Sequence, residues 1–280
     1  MGQKTFTEET ITTGDGLRLY VRRRHLESAR ACVVIVHGFG EHSGRYGALT
    51  DHLISCSYSV IGYDHRGHGL SDGLPGHVES FTEYEDDLDK IIAYARSQGE
   101  SPSIYLIGHS MGGLITLRYV ARKKGAVAGA VISSPLIGMA VAVPALKLLI
   151  ANVSAHMSPR LRLDNGLDPA ILSRDAEVGK AYAADPLVNR KVSARWFVEA
   201  SRAMEEVKGM ALEVSLPVLI MQGTMDKIAS VEATKRLFEA IASADKELEI
   251  YEGFYHELFN EPEKLEVFER VTTWLNRRAG

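Results

Sequence analysis

The strongest chemical signal in the sequence is one short run, Gly108-His109-Ser110-Met111-Gly112. A serine with glycine two residues to either side suits a nucleophile held on a tight strand-to-helix turn, where flanking side chains must be small. Composition alone would produce such a run in a chain of this length about one time in ten, so its surroundings have to carry the reading. The apolar run Ser103 to Ile107 leads into it as a strand, and Leu114 to Arg122 leads out as a helix. Gly113 suits close packing of that helix. The Ser110 hydroxyl would then stand at a helix N-terminus, whose dipole favours a developing anion. The plainer alternative is a glycine-rich turn with a capping serine.

A serine nucleophile needs a base, and the base needs an orienting group. Of ten histidines, His256 lies just past the last strand-like run, in Gly253-Phe254-Tyr255-His256-Glu257. Asp226 lies just past the preceding run, in Gln222-Gly223-Thr224-Met225-Asp226. In open α/β sheets, sites form beyond the carboxyl ends of the strands. Ser110, Asp226 and His256 each hold that position after a different strand. Their order along the chain, Ser then Asp then His, is the order of α/β-hydrolases. An oxyanion would need two backbone N–H donors. Met111, following the nucleophile, supplies one; Phe39, in the loop His37-Gly38-Phe39-Gly40, supplies the other.

Other clusters read more plainly. Asp64-His65-Arg66-Gly67-His68-Gly69 reads as a hydrogen-bonded turn bracing the site, since no convergent ligand set makes it a metal centre. His42 and His77 are expected at the surface or in loops. Glu85-Asp86-Asp87 is expected as a solvated helix start. Arg22-Arg23-Arg24 is expected as the solvated face of a strand edge.

The elements around these residues follow from periodicity. Short β-branched runs, Ala31–Val36, Ser59–Tyr63, Ile104–Ile107, Val127–Ser133, Pro217–Met221 and Leu248–Tyr251, alternate with helix-compatible segments. That predicts a mostly parallel sheet with helices on both faces. Phe6–Thr12 and Leu17–Arg24, turning at Gly14-Asp15-Gly16, predict an antiparallel hairpin at one edge. About 80 residues separate the strand ending at Ser133 from the one starting at Pro217, which predicts an inserted helical cap. The expected division is a core of residues 1–134 and 211–280 with a cap at 135–210. The cap's first part, Leu136 to Val153, is apolar on nearly every face and reads as a helix that is buried or faces lipid.

The 280 residues carry a formal net charge of −4 and no long basic run, which argues against nucleic-acid binding. Two cysteines make no disulfide framework and fit a reducing cytoplasm; Cys32, within an apolar run, is expected buried. The first ten residues lack an apolar signal core. Pro144 and Lys147 leave the most apolar stretch too short to span a bilayer.

Several longer runs resemble the monoacylglycerol lipase and lysophospholipase family of α/β-hydrolase-fold serine hydrolases. They are the loop from His37 through Glu41 to Tyr46, Asp64 to Ser71, Gly108 to Gly113, Asp185-Pro186-Leu187, and Tyr251 to Glu257. The likeness runs from about residue 10 to 275. It implies an enzyme without cofactor or metal, cytosolic or at a membrane surface, that cleaves small single-chain lipid esters. It also implies that Glu41 and Arg45 shape the polar end of the pocket. The cap could make transient contact with a membrane. Phe39 stands where members often have alanine, and its bulk would narrow the entrance. Hydrolysis of a monoacylglycerol or a similar single-chain ester is the leading expectation; lysophospholipid and simple carboxylic esters are the alternatives, because all need the same triad and an apolar slot. A non-catalytic lipid-binding protein is the remote alternative.

Overall fold

The computed structural model describes residues 5–99, 103–141 and 152–279. Its strands in chain order are β1 (Thr5–Thr12), β2 (Arg18–His25), β3 (Ala31–Val36), β4 (Tyr58–Tyr63), β5 (Ile104–His109), β6 (Gly129–Ser133), β7 (Arg162–Asp164), β8 (Lys191–Ser193), β9 (Val218–Gly223) and β10 (Lys246–Tyr251). The helices are α1 (Gly47–Ser55), α2 (Thr82–Ser97), α3 (Met111–Arg122), α4 (Ala176–Ala184), α5 (Ala194–Met210), α6 (Val231–Ala240) and α7 (Lys264–Asn276); residues 152–157 are also helical. Eight strands form one sheet in the order β1-β2-β4-β3-β5-β6-β9-β10. The β1–β2 and β2–β4 pairs are antiparallel and the remaining pairs parallel. This is the mostly parallel, helix-flanked sheet expected from the alternation of runs, with the expected antiparallel hairpin at one edge.

Two apolar layers hold the sheet, and the pleat sorts residues between them. Cys32, Val34 and Val36 of β3 pack with α2 and α3 residues such as Leu88 and Leu114. Ala31, Val33 and Ile35 pack on the other face with Leu53 of α1 and Phe268 and Trp274 of α7. Every residue of β3, β4, β5, β6 and β9 is buried, as parallel strands covered on both faces require. That is why these runs read as continuous apolar stretches.

Three surface readings are corrected. β2 lies between β1 and β4, so it is not an edge, and Arg22, Arg23 and Arg24 are half-buried. Glu85 and Asp87 are buried at the start of α2. Their charges are taken up by Arg118 and Arg66; only Asp86 faces solvent. His42 and His77 lie in loops, as expected, but are buried rather than at the surface, because the chain between β6 and β9 folds over their loops. His42 Nε2 lies 2.9 Å from Asp185 Oδ2 and His77 Nδ1 2.9 Å from Ser193 Oγ.

Among the described residues, no strand of the large sheet falls between Ser133 and Val218. This segment contains α4 and α5 but also a two-stranded antiparallel ribbon, β7–β8. α5 joins the main core through Trp196, Ala200, Ala203 and Val207. The apolar run from Leu136 to Val153 is not helical over residues 136–141, while Asn152 and Val153 at its end are helical. Pro135 and Gly138 interrupt it, Met139 pairs antiparallel to Ala229, and the Ala140 amide donates to Ile228 O at 2.9 Å. Val141 is exposed. Val143, Leu146, Leu148, Leu149 and Ile150, expected on the same helix, lie outside the described residues. Among the described residues no helix is long and apolar enough to cross a membrane.

Candidate active site

Ser110 sits where β5 becomes α3, with φ +53° and ψ −116°. A side chain rarely adopts this backbone, and it persists only where the surroundings enforce it. Here the Ser110 amide donates to Ser133 O of β6 at 3.0 Å, and Ser110 O accepts from Leu114 and Leu136 amides. The flanking glycines allow the turn. A Cβ on Gly108 would stand 2.5 Å from Thr116 Oγ1; one on Gly112 would collide with Val36 O and stand 2.5 Å from His37 O.

Asp226 and His256 are brought together by two loops that pack at the carboxyl ends of β9 and β10. The Thr224 amide donates to Tyr251 O at 2.9 Å and the Met225 amide to Phe254 O at 3.0 Å. His256 Nδ1 then lies 2.8 Å from Asp226 Oδ2. Because a carboxylate only accepts, Nδ1 carries the proton and Nε2 keeps its lone pair. Asp226 Oδ1 accepts from the amides of Ile228 and Ala229 at 2.8 and 2.9 Å. Gln222 Nε2 donates to Asp226 Oδ2 at 2.6 Å, and Gln222 is held in turn by the Thr234 hydroxyl. Burial pushes Asp226 up, but the His256 charge and these donors hold its carboxyl below the usual value. Burial likewise pushes His256 down, and Asp226, helped by Glu257 and Glu41, overrides it and raises the imidazole.

The loop bearing Phe39 runs against the nucleophile: a Cβ on Gly38 would stand 3.3 Å from Ser110 Cβ. His37 Nε2 accepts from the His65 amide at 2.9 Å, so its Nδ1–H donates to Gly38 O at 2.7 Å. His65 Nε2–H donates back to His37 O at 3.0 Å. Burial drives both imidazoles well below their usual value, which keeps them neutral. Asp64 accepts from Ser43 N, Ser43 Oγ and Leu70 N, tying the second loop to the first. Met111 opens α3, so its amide has no partner within the helix.

Ser110 and His256 line one cavity of about 380 Å³, together with Phe39 and Glu41. Its walls are mainly apolar, from Leu136, Leu172, Val192, Trp196 and Met204 among others. Asp226 and Met111 stand behind the lining. The Phe39 ring packs on Trp196 of α5, centroids 4.1 Å apart, so its bulk joins the wall beneath the inserted segment. Arg45 does not line this cavity. It is spent behind the wall, donating to Glu41 Oε2 at 2.7 Å and to both carboxylate oxygens of Glu257 at 2.6 and 2.7 Å. Glu41 also accepts from the Gly38 amide and the Tyr46 hydroxyl. Gln222, Thr234 and Glu257 were not anticipated from sequence. Glu257 adjoins His256 in the chain, but only the fold brings Arg45 to it.

Residues 27–263 match the sequence model of the family described as serine aminopeptidase, S33. The monoacylglycerol lipase of Mycolicibacterium smegmatis is 34% identical over 250 residues, 88% of either chain. Phospholipase YtpA of Bacillus subtilis is 36% identical, covering 88% of this chain and 95% of its own. Among solved structures, the monoacylglycerol lipase of Paleococcus ferrophilus superposes with a TM-score of 0.84 at 34% identity, over 98% of this chain and 99% of that one. With the elbow and the eight-stranded sheet, these matches establish that the chain is a hydrolase of the α/β-hydrolase fold and belongs to the serine aminopeptidase, S33 family.

Proposed function

We propose that the protein hydrolyses monoacylglycerols to fatty acid and glycerol through an acyl-enzyme on Ser110. The observation that carries this reading is a strained Ser110 opening into a mainly apolar cavity whose lining includes the carboxylates of Glu41 and Glu257. His256 Nε2 takes the Ser110 proton as Oγ attacks the ester carbonyl, and Asp226 holds the imidazole in the required tautomer. The amides of Phe39 and Met111 receive the oxyanion. His256 then protonates the departing glycerol oxygen. Glu41 and Glu257 accept hydrogen bonds from the glycerol hydroxyls, and Arg45 acts through them. The segment 135–210 serves as the cap over the acyl chain, on a core of 1–134 and 211–280.

The relative named as a phospholipase keeps lysophospholipids as the second reading. The family's peptidase description finds less support. The cavity's walls are mainly apolar, which suits an acyl chain better than the charged amino terminus of a peptide. The test is a turnover panel of 1- and 2-monoacylglycerols, lysophospholipids and aminoacyl p-nitroanilides, run beside a fluorophosphonate probe. Monoacylglycerols should turn over fastest, the probe should label Ser110, and Ser110→Ala should lose about 10⁴- to 10⁶-fold in kcat. Labelling at another serine, or an active alanine variant, would end the assignment.

A further inference from the structure

Behind the cavity that holds Ser110 lies a second, of about 10 Å³, lined by Glu41, Tyr46, His109, Glu257, Phe259 and Asn260. Glu41, His109 and Glu257 line both cavities, so the two meet at these side chains. The smaller one is near the lower limit of room for a single water, roughly 10–15 Å³. All its side chains but Phe259 carry polar atoms, as a buried water requires. His109 adds an independent sign. The residue is 4% exposed, and among the described residues no donor or acceptor meets its Nδ1. Such buried polar atoms in folded proteins generally have a water or a task. The His109 ring also stands 4.8 Å from the His256 ring, centroid to centroid.

We infer that this rear chamber binds one water and supplies it to the acyl-enzyme, with His109 as the positioning residue that orders it. The inference rests on the reading of Ser110 as the acylated residue. An acyl chain filling the apolar cavity blocks that approach to water, whereas the polar rear stays wet as the alcohol leaves. Burial and the nearby His256 charge lower His109 to about 4. Its ring is therefore neutral at pH 7 and offers one N–H and one lone pair. In the step it serves, the water oxygen attacks the acyl carbon while its proton passes to His256 Nε2. The acyl C–Oγ bond then breaks, the proton moves from His256 to Ser110 Oγ, and the fatty acid departs.

Rapid mixing with a p-nitrophenyl ester separates the two half-reactions. His109→Phe removes both nitrogens and fills the space with a ring. It should still be labelled at Ser110 by fluorophosphonate. It should also release a burst of p-nitrophenol and then turn over about 10- to 100-fold more slowly. Added methanol should capture a larger share of acyl groups than in the wild type. His109→Asn, which keeps polar atoms near the Nδ1 position, should restore most of the steady rate. Asn260→Leu, filling the chamber from its far wall, should reproduce the burst if His109→Phe does not fold. Parallel loss of labelling and turnover without a burst would overturn the inference, as would full activity of both filling variants. No labelling of Ser110 in the wild type would instead remove the acyl-enzyme on which it depends.

Discussion

His256 is buried, and burial alone would make it a weak base. Asp226 reverses this at 2.8 Å, with Glu257 and Glu41 adding to the negative field, so the imidazole titrates above its ordinary value of about 6.5. Catalysis needs the neutral ring. Activity is therefore present above the raised pKa and lost as pH falls through it, and the acidic limb of kcat/KM should lie above 6.5. An unshifted histidine would put the limb at about 6.5, so a limb below that value would contradict the raising effect of Asp226, Glu257 and Glu41. Asp226→Asn should lower kcat by about 10⁴-fold and move any residual limb downward. Ser110, Asp226 and His256 were legible because each follows a strand in the sequence. Gln222 and Thr234, which steady Asp226, were not, because their contacts form only when β9 and α6 pack together. The charge of Arg45 could be seen; that Glu41 and Glu257 absorb it could not.

The strands of the large sheet were legible to within a few residues, the central ones because buried parallel strands are continuously apolar; the β7–β8 ribbon was not. Polar helix faces were not, since charge alone does not say whether a partner waits across the interface. The start of α2 shows this in adjacent residues. Asp87 is 1% exposed and accepts from Arg66 Nε and Nη2 at 2.6 and 2.7 Å, whereas Asp86 points to solvent. Removing one partner of a buried ion pair costs about 3–5 kcal/mol. Asp15 and Glu83 still reach Arg66, so Asp87→Ala should cost about 3 kcal/mol in urea unfolding, near the lower end. Asp86→Ala should change stability by no more than about 0.5 kcal/mol. Equal effects would mean that the Arg66–Asp87 pair contributes nothing that solvent cannot replace. The inserted segment was the hardest element to read. Its apolar start reads as a helix, yet Met139 and Ala140 bond instead to the loop carrying Asp226, where Ala229 and Ile228 supply the backbone partners.

At the scale of the whole molecule, the inserted segment and the sheet enclose one binding volume between them. Trp196, Phe197, Ala200 and Met204 come from α5, Leu167, Ile171 and Leu172 from the chain before α4 and Leu136 from the segment's start, and they meet Phe39 of the sheet side. The cavity measures about 380 Å³ and its walls are mainly apolar. Each CH₂ moved from water into such walls contributes about 0.8 kcal/mol, or about fourfold in kcat/KM when the gain is expressed in the transition state. Efficiency should therefore climb by about that factor per CH₂ through the short monoacylglycerols, then level or fall once the apolar walls are covered. Second and third acyl chains would have to enter the polar end, where Glu41 and Glu257 are already charged and paired with Arg45. Burying hydrocarbon there would separate carboxylates from their donors, so di- and triacylglycerols should be poor substrates. The measurement is kcat/KM for mono-, di- and triolein in matched detergent, beside a graded monoacylglycerol series. Substituting Ala200 with Phe, which fills the cavity from α5, should move the optimum to shorter chains without changing fluorophosphonate labelling of Ser110. Triolein cleaved as readily as monoolein would refute the enclosed volume. A preference for acetyl esters over all longer chains would show that the apolar walls do not hold the acyl group.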